Sequence, residues 1–345
     1  MTEPAKPEAK RPRVDDSRLL DIQMGLFGGQ AFLVGLDLGL FARLAETPMS
    51  LSDVAKAFDL DPRAAEALLT VQTTLGFLEK RGDTYHLTDI AEDYLVPGTP
   101  LYMGDFLREA TFAQPELTSY ASVKRSILEN RTQIYDGGEL FQTHEEQAAQ
   151  ARTFTMMMHG HSIAPGMAWP EKFDLSGVRK MIDIGGGSGA HAIGAALRWP
   201  DLKAVVFERP NVADVAQEQI AAYGLSDRVT TEIGDFFTDD LPAGDLHFYG
   251  DIFHDWTDET CRELAAKSFA ALEPGGRIMI HEVIFDDDKT GPFCAAALNV
   301  VMLAWTEGRQ RSGAELAAIL TQEGFVDAET TRTFGYWSVA SARKP

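Results

Sequence analysis

The 345-residue chain carries only two cysteines, Cys261 and Cys294, too few for a disulfide framework, and this scarcity suits a reducing, cytoplasmic setting. Positive charge is scarce as well: 31 Lys and Arg stand against 52 Asp and Glu, a net charge of −21. Such a surface repels phosphate backbones and anionic lipid, so neither nucleic acid nor membrane is an expected partner. Repeats and low-complexity blocks are missing, and no long apolar run is uninterrupted. The longest, "MGLFGGQAFLVGLDLGLFARL", is broken by Gln30, Asp37 and Arg43, which leaves it short of a continuous bilayer span. It reads as a pair of unusually apolar helices that need covering, and a homodimer interface is expected there. The opening "MTEPAKPEAKRPRVDD" is polar and proline-rich, which predicts a disordered tail over residues 1–15.

What is present falls into two patterns, and the length suits two domains. In residues 16–100, "LSDVAKAF" and "PRAAEALLTVQTTLGFL" predict short helices, and "FLEKRGDTYHLT" a hairpin turning at Gly82-Asp83. Helix, helix, hairpin is the order of a winged helix. Between Ser50 and Pro97, however, nine acidic side chains outnumber four basic ones, a balance of −5 that would repel DNA. A structural, dimerising winged helix is the better reading. Residues 101–172 are helical in pattern. From residue 173 to 345 strands and helices alternate, which predicts a doubly wound, Rossmann-like α/β domain ending in a hairpin-like segment.

The chemistry collects at the strand ends of that domain. "MIDIGGGSGA" places Asp183 at the end of a strand and Gly185, Gly186, Gly187 and Gly189 before a helix, letting the backbone turn tightly and a ligand approach closely. The same letters allow a variant dinucleotide fingerprint, so the loop alone leaves S-adenosylmethionine (SAM) and NAD open. Glu208, ending the next strand, could take two ribose hydroxyls in either case. "IGDFF" at the third strand end decides for SAM: Asp235 could accept from an adenine amine and Phe236 could stack on the ring. "GDIFHDWTDE" then sets His254 and Asp255 at a strand-to-helix turn, where the Thr257 segment should cap the helix.

Taken in order, "DIGGGSG", "ERPNV", "GDFF", "HDWTDE", "LEPGGRIMIHEV" and "NVVMLAWTEGRQRS" resemble the class I SAM-dependent O-methyltransferases over roughly residues 16 to 345. The similarity is to the branch holding plant caffeate-type and acetylserotonin enzymes and bacterial tailoring enzymes of polyketide and phenazine pathways. It implies SAM as cofactor, a small-molecule acceptor, a winged-helix dimerisation domain, and a helical segment 101–172 that helps line the substrate pocket. It implies His254 as general base: a phenol of pKa near 10 is scarcely ionised at neutral pH, and an imidazole near 6.5 can take its proton. Cofactor contacts are expected from Asp183, Gly185, Gly187, Glu208, Gly234, Asp235, Phe236 and Ser162. Met158, His161, Met302 and Trp305 are expected around the acceptor, although methionines at helical spacing also suit plain core. Asp255 is grouped with the catalytic residues, and its side chain is expected to turn away to cap the helix or pin the loop.

Two departures from the family pattern stand out. Relatives orient the histidine with two glutamates; Glu282 matches the first, but the second position holds Gln310, whose amide cannot stabilise an imidazolium by charge. The second carboxylate is then dispensable, or Glu307 replaces it, or the chemistry is altered toward C-methylation or SAM-assisted hydroxylation, decarboxylation or cyclisation. Gly250-Asp251 also stands where many relatives carry Lys or Arg. A metal held by His159, His161 and His254 is not expected, because an i, i+2 spacing on a helix splits the first two rings between faces.

Overall fold

A computed structural model describes residues 11–112, 119–130, 132 and 148–345. Expectations for residues 1–10, and for the helical stretches where they cross 113–118 and 144–147, lie outside the described residues. The chain divides into two units, Met1–Arg108 and Glu109–Pro345.

The first unit contains α1 (Ser17–Asp37), α2 (Leu40–Glu46), β1 (Met49–Ser50), α3 (Leu51–Ala57), α4 (Pro62–Thr74), β2 (Leu78–Arg81), β3 (Thr84–Leu87) and α5 (Asp89–Tyr94). Local chemistry sets the helix starts. Ser50 and Asp53 form a capping box for α3, and Asp61 accepts from the Arg63 amide with Pro62 in the first turn of α4. The expected hairpin forms, Leu78 pairing with Leu87, and β1 adds to β3 to give the small sheet of a winged helix. Its core is Leu40, Phe41, Leu44, Val54, Leu68, Leu69, Leu78 and Tyr85.

α1 is different. It buries only Leu33, Gly35 and Leu36, while Leu19, Leu26 and Phe27 are each about 70% exposed (71%, 72% and 71%). Among the described residues it is the one helix long and apolar enough to cross a bilayer by length and composition. The sequence run read from Met24 onward missed this, because the helix starts seven residues earlier and stops at Asp37, before Arg43.

The second unit begins within α6 (Gly104–Phe112) and continues with α7 (Tyr120–Glu129), α8 (Ala148–Ala168), β4 (Lys180–Ile184), α9 (Ala190–Arg198), β5 (Lys203–Glu208), α10 (Pro210–Ala222), β6 (Val229–Ile233) and β7 (Gly244–Gly250). It ends with α11 (Asp258–Ala271), β8 (Leu272–Val283), α12 (Phe293–Trp305), α13 (Gly313–Gln322), β9 (Val326–Phe334) and β10 (Trp337–Arg343). The sheet order is β6-β5-β4-β7-β8-β10-β9. β4 to β8 run parallel, as their alternation with helices predicts. β9 and β10, joined by a tight turn, pair antiparallel with each other, and β10 pairs antiparallel with β8, so the complete sheet is mixed. Ile182, Ile184, Tyr249, Ile278 and Ile280 pack on one face, and Met181, Phe248, Met279 and Trp169 on the other. Strand order reverses between β4 and β7, where open α/β sheets bind ligands at their carboxyl ends.

Candidate active site

The glycine loop leaves β4 at that reversal. Gly185, Gly187 and Gly189 all take positive φ (65°, 56° and 77°), which a side chain would oppose. A Cβ on Gly187 would meet nothing within 4 Å, so the loop offers open space on that side. Asp183 is fully buried; its Oδ2 accepts from the Ala192 amide at 3.2 Å, while Oδ1 has no partner. Burial pushes this carboxyl up to about 7. Glu208 accepts from the Gly187 amide (3.2 Å) and the Arg209 amide (2.8 Å), and burial raises it as well. Gly234 N–H donates to Glu208 O, tying the ends of β5 and β6, and Asp235 lies 3.3 Å from Arg209 Nη2. Phe236 Cε1 stands 3.2 Å from where a Gly185 side chain would begin. A buried acceptor oxygen without a donor, a second carboxylate and open space along the loop fit the ammonium and ribose hydroxyls of SAM.

His254 follows β7 in a short 3-10 turn, Phe253–Asp255, and its side chain is 13% exposed. The segment 308–312 fixes this turn. A Cβ on Gly308 would sit 2.1 Å from the His254 carbonyl oxygen, so only glycine permits the two backbones to touch. Arg311, wholly buried, donates to Phe253 O (2.7 Å), Trp256 O (2.8 Å) and Asp258 Oδ1 (2.7 Å), gripping the turn on both sides of His254. Gln310 Nε2 lies 3.0 Å from His254 Nδ1, and its Oε1 is buried without a partner. With the amide nitrogen donating, Nδ1 accepts and the neutral ring carries its proton on Nε2. With the amide turned, Oε1 accepts from Nδ1–H and Nε2 is the free base.

Glu282, on β8, accepts from the His254 backbone amide at 2.9 Å rather than from the ring. It positions the main chain, and its second oxygen has no partner. Asp255 neither turns away nor caps: its Oδ1 lies 3.6 Å from His254 Nε2, and Thr257 caps α11 by accepting from the Thr260 amide. The turn is only three residues long, so Asp255 falls on the ring side while Thr257 reaches the helix start. Glu307 is exposed and does not stand in for the missing carboxylate. Burial alone would lower His254, but Asp255, Glu282 and Asp251 outweigh it and the ring is raised overall. Burial pushes Asp255 up to about 7, and it raises Glu282.

Among the remaining expected residues, Met158, His161 and Ser162 lie partly buried on α8, and Met302 (buried) and Trp305 (partly buried) on α12. His161 packs 5.0 Å from the Trp337 ring and 3.5 Å from Asp251. His159 reaches the glycine loop through Ser188 Oγ at 2.8 Å, and burial lowers it to about 4. Among the described residues no three His, Cys, Asp or Glu side chains gather as a metal set. Sequence reading missed Arg311, Gly308 and Ser188; the Gly and Arg of "EGRQR" were visible, but nothing in the letters aims them at a turn more than fifty residues earlier.

Comparison with known proteins matches both units to one enzyme family. The O-methyltransferase domain family matches residues 120–326, and the O-methyltransferase dimerisation domain matches 20–97. A 3-hydroxy-5-methyl-1-naphthoate 3-O-methyltransferase from Streptomyces sahachiroi is 34% identical, over 91% of this chain and 90% of its own. The tetracenomycin polyketide synthesis 8-O-methyltransferase of Streptomyces glaucescens is 30% identical, over 95% and 96%. The crystal structure of human N-acetylserotonin methyltransferase in complex with SAM superposes with a TM-score of 0.83 at 28% identity, covering 97% of this chain and 99% of that one. The glycine loop, the His254 turn and the two matched domains converge: this chain belongs to the family of SAM-dependent O-methyltransferases.

Proposed function

We propose that the protein methylates a hydroxyl group on a small aromatic acceptor, with His254 as the general base. SAM, when bound, supplies an electrophilic methyl group for in-line displacement. Asp183 and Glu208 hold it through its donors, and the glycine loop admits it without a side chain in the way. His254 takes the acceptor's proton, breaking O–H as N–H forms, and Gln310 turns Oε1 to Nδ1–H so that Nε2 is free to do so. The observation that carries this reading is the His254 ring itself: buried at the carboxyl end of β7, gripped from behind by residues 308–311, and raised by surrounding carboxylates. A base of this kind contributes about 10² to 10⁴ in rate.

Oxygen is favoured as the methylated atom because the relatives are named as O-methyltransferases, among them a naphthoate and a polyketide enzyme; fused phenols are therefore the acceptor class to test first. The bare apolar face of α1 and the matched dimerisation domain support a homodimer over a membrane helix. Both cysteines are free, in keeping with a cytoplasmic setting. The domain boundaries we assign are 16–100, 101–172 and 173–345.

The test is His254→Ala and His254→Gln, assayed for S-adenosylhomocysteine release with SAM and a panel of naphthols and hydroxynaphthoates. Turnover at neutral pH should fall by about 10² or more, with S-adenosylhomocysteine affinity within a few-fold of wild type. The deficit should narrow as pH approaches the acceptor's own pKa. Wild-type turnover by His254→Ala near pH 7 sinks the proposal.

A further inference from the structure

Behind the His254 ring lies a carboxylate that the reading above does not use. Asp251 directly follows β7 with φ of 54°, a left-handed conformation that a residue with a Cβ holds only at a cost of about 1 kcal/mol or more. Its backbone amide donates to His281 O at 3.1 Å, which fixes it in place, and its side chain is 9% exposed. Oδ1 lies 3.9 Å from His254 Nδ1, and Oδ2 lies 3.5 Å from His161 Nε2. Both distances exceed a good hydrogen bond, and they set one buried carboxylate between two imidazoles. The nearby guanidinium, Arg311, is already committed to Asp258 and to carbonyl oxygens.

The ring's hydrogen-bonding partner, Gln310, is neutral. When His254 accepts a proton, the new charge must therefore be met from elsewhere. Three carboxylates face the ring: Asp255 from the same turn, Glu282 from β8, and Asp251 from the end of β7. Asp255 is pushed up by burial and lies against Nε2, the nitrogen that meets the acceptor's proton; Glu282 is raised by burial and spends Oε1 on the His254 backbone. Asp251 is buried too, yet His161, His254 and His191 hold it below its usual range. Of the three, it is the one whose carboxylate lies against Nδ1, the nitrogen away from the acceptor.

Resting on the general-base reading, we propose that Asp251 is a positioning residue that supplies the counter-charge for protonated His254, a duty the amide at position 310 cannot perform. His161 on α8 lies against the other oxygen of the same carboxylate. The role is electrostatic, so its loss should act on the basicity of His254 more than on binding.

The experiment uses the full-length chain with ring-labelled histidine, His254 being assigned by its absence in His254→Gln. In Asp251→Asn and Asp251→Ser, two uncharged side chains that tolerate the left-handed region to different degrees, His254 should release its proton at lower pH. The titration should move down by about one pH unit or more, as expected for losing an opposite charge within ~4 Å. The acidic limb of kcat/KM should move the same way, because the base then becomes neutral at lower pH, while KM and S-adenosylhomocysteine affinity stay within a few-fold. Asp251→Glu, which keeps the charge, should hold the titration near wild type, and Gln310→Glu added to Asp251→Asn should restore it. An unmoved His254 titration in both uncharged variants overturns the proposal, as does a Glu variant that shifts as far as Asn. Failure of the general-base reading is separable: it shows as full activity in His254→Ala, whatever the titration does.

Discussion

Gly308→Ala replaces one hydrogen by a methyl group, and the structure says where that carbon goes. It would lie 2.1 Å from the His254 carbonyl oxygen and 2.5 Å from Asp255 C and Trp256 N. Ordinary contact begins at 3.4 Å, so the two backbones must part by about 1.3 Å, the difference between 3.4 and 2.1. The obstructing atoms are main chain, so no side chain can swing aside. The 308–312 side resists movement: Gln310 N donates to Asn299 Oδ1, Phe285 N donates to Arg311 O, and Ser312 and Glu315 form a capping box on α13. The His254 turn is therefore the part that yields, against the grip of Arg311.

A catalytic group displaced by ~1 Å loses about 10² in rate. Overpacking of this kind costs about 1–3 kcal/mol, or roughly 2–4 °C in Tm per kcal/mol for a unit of this size. Gly308→Ala should thus lower kcat about a hundredfold and Tm by a few degrees, while calorimetry finds S-adenosylhomocysteine affinity within about threefold, since the glycine loop is untouched. Wild-type kcat with unaltered affinity and Tm would mean that the 308–311 segment does not set the position of His254, and the reasoning fails.

The cofactor carboxylates and the N-terminal helices can be tested in the same way. Asp183→Asn and Glu208→Gln should each weaken SAM by about 1.5–3 kcal/mol, the loss of a charge-assisted hydrogen bond. Because Asp183 sits at about 7 when free and a bound donor favours its ionised form, binding near pH 7 should release protons, and less so as pH rises; calorimetry in buffers of different ionisation heat reads this directly, and proton uptake would contradict it. Deleting residues 1–15 should leave a dimer by light scattering. Deleting through Leu44 removes Leu36, Leu40, Phe41 and Leu44 from the first core and should give aggregate, whereas a soluble active monomer would refute the role assigned to α1.

The fold was legible because its signals are local. Alternating strand and helix periods gave β4 to β8, the Thr257 cap marked a helix start, and Gly82 marked the hairpin. The cofactor loop was legible for the same reason, its glycines and acids lying at successive strand ends. The surroundings of His254 were less so. Position 282 was picked out, but whether its carboxylate would meet the ring or the backbone depends on a side-chain direction at the end of β8. Asp255 was expected to point away and cap the helix or pin the loop, whereas the tightness of a three-residue turn put it on the ring. Arg311 and Gly308 act across more than fifty residues, and sequence spacing carries no information at that range.

Gln310 shows most plainly where letters stop and geometry begins. Glutamine in place of glutamate reads as a lost charge, which leaves open whether the histidine still works as a base. An amide can donate or accept, so it can pair with either neutral tautomer of His254, and a carboxylate can pair only with Nδ1–H. Turned so that Oε1 meets the ring, the amide accepts from Nδ1–H and leaves Nε2 free. That turn selects the basic nitrogen without adding charge. The charge has to come from a nearby carboxylate, and Asp251, between His254 and His161, has the position for it. The amide at 310 and the acid at 251 thus divide between them the orienting and the charge-balancing that a single glutamate would otherwise combine.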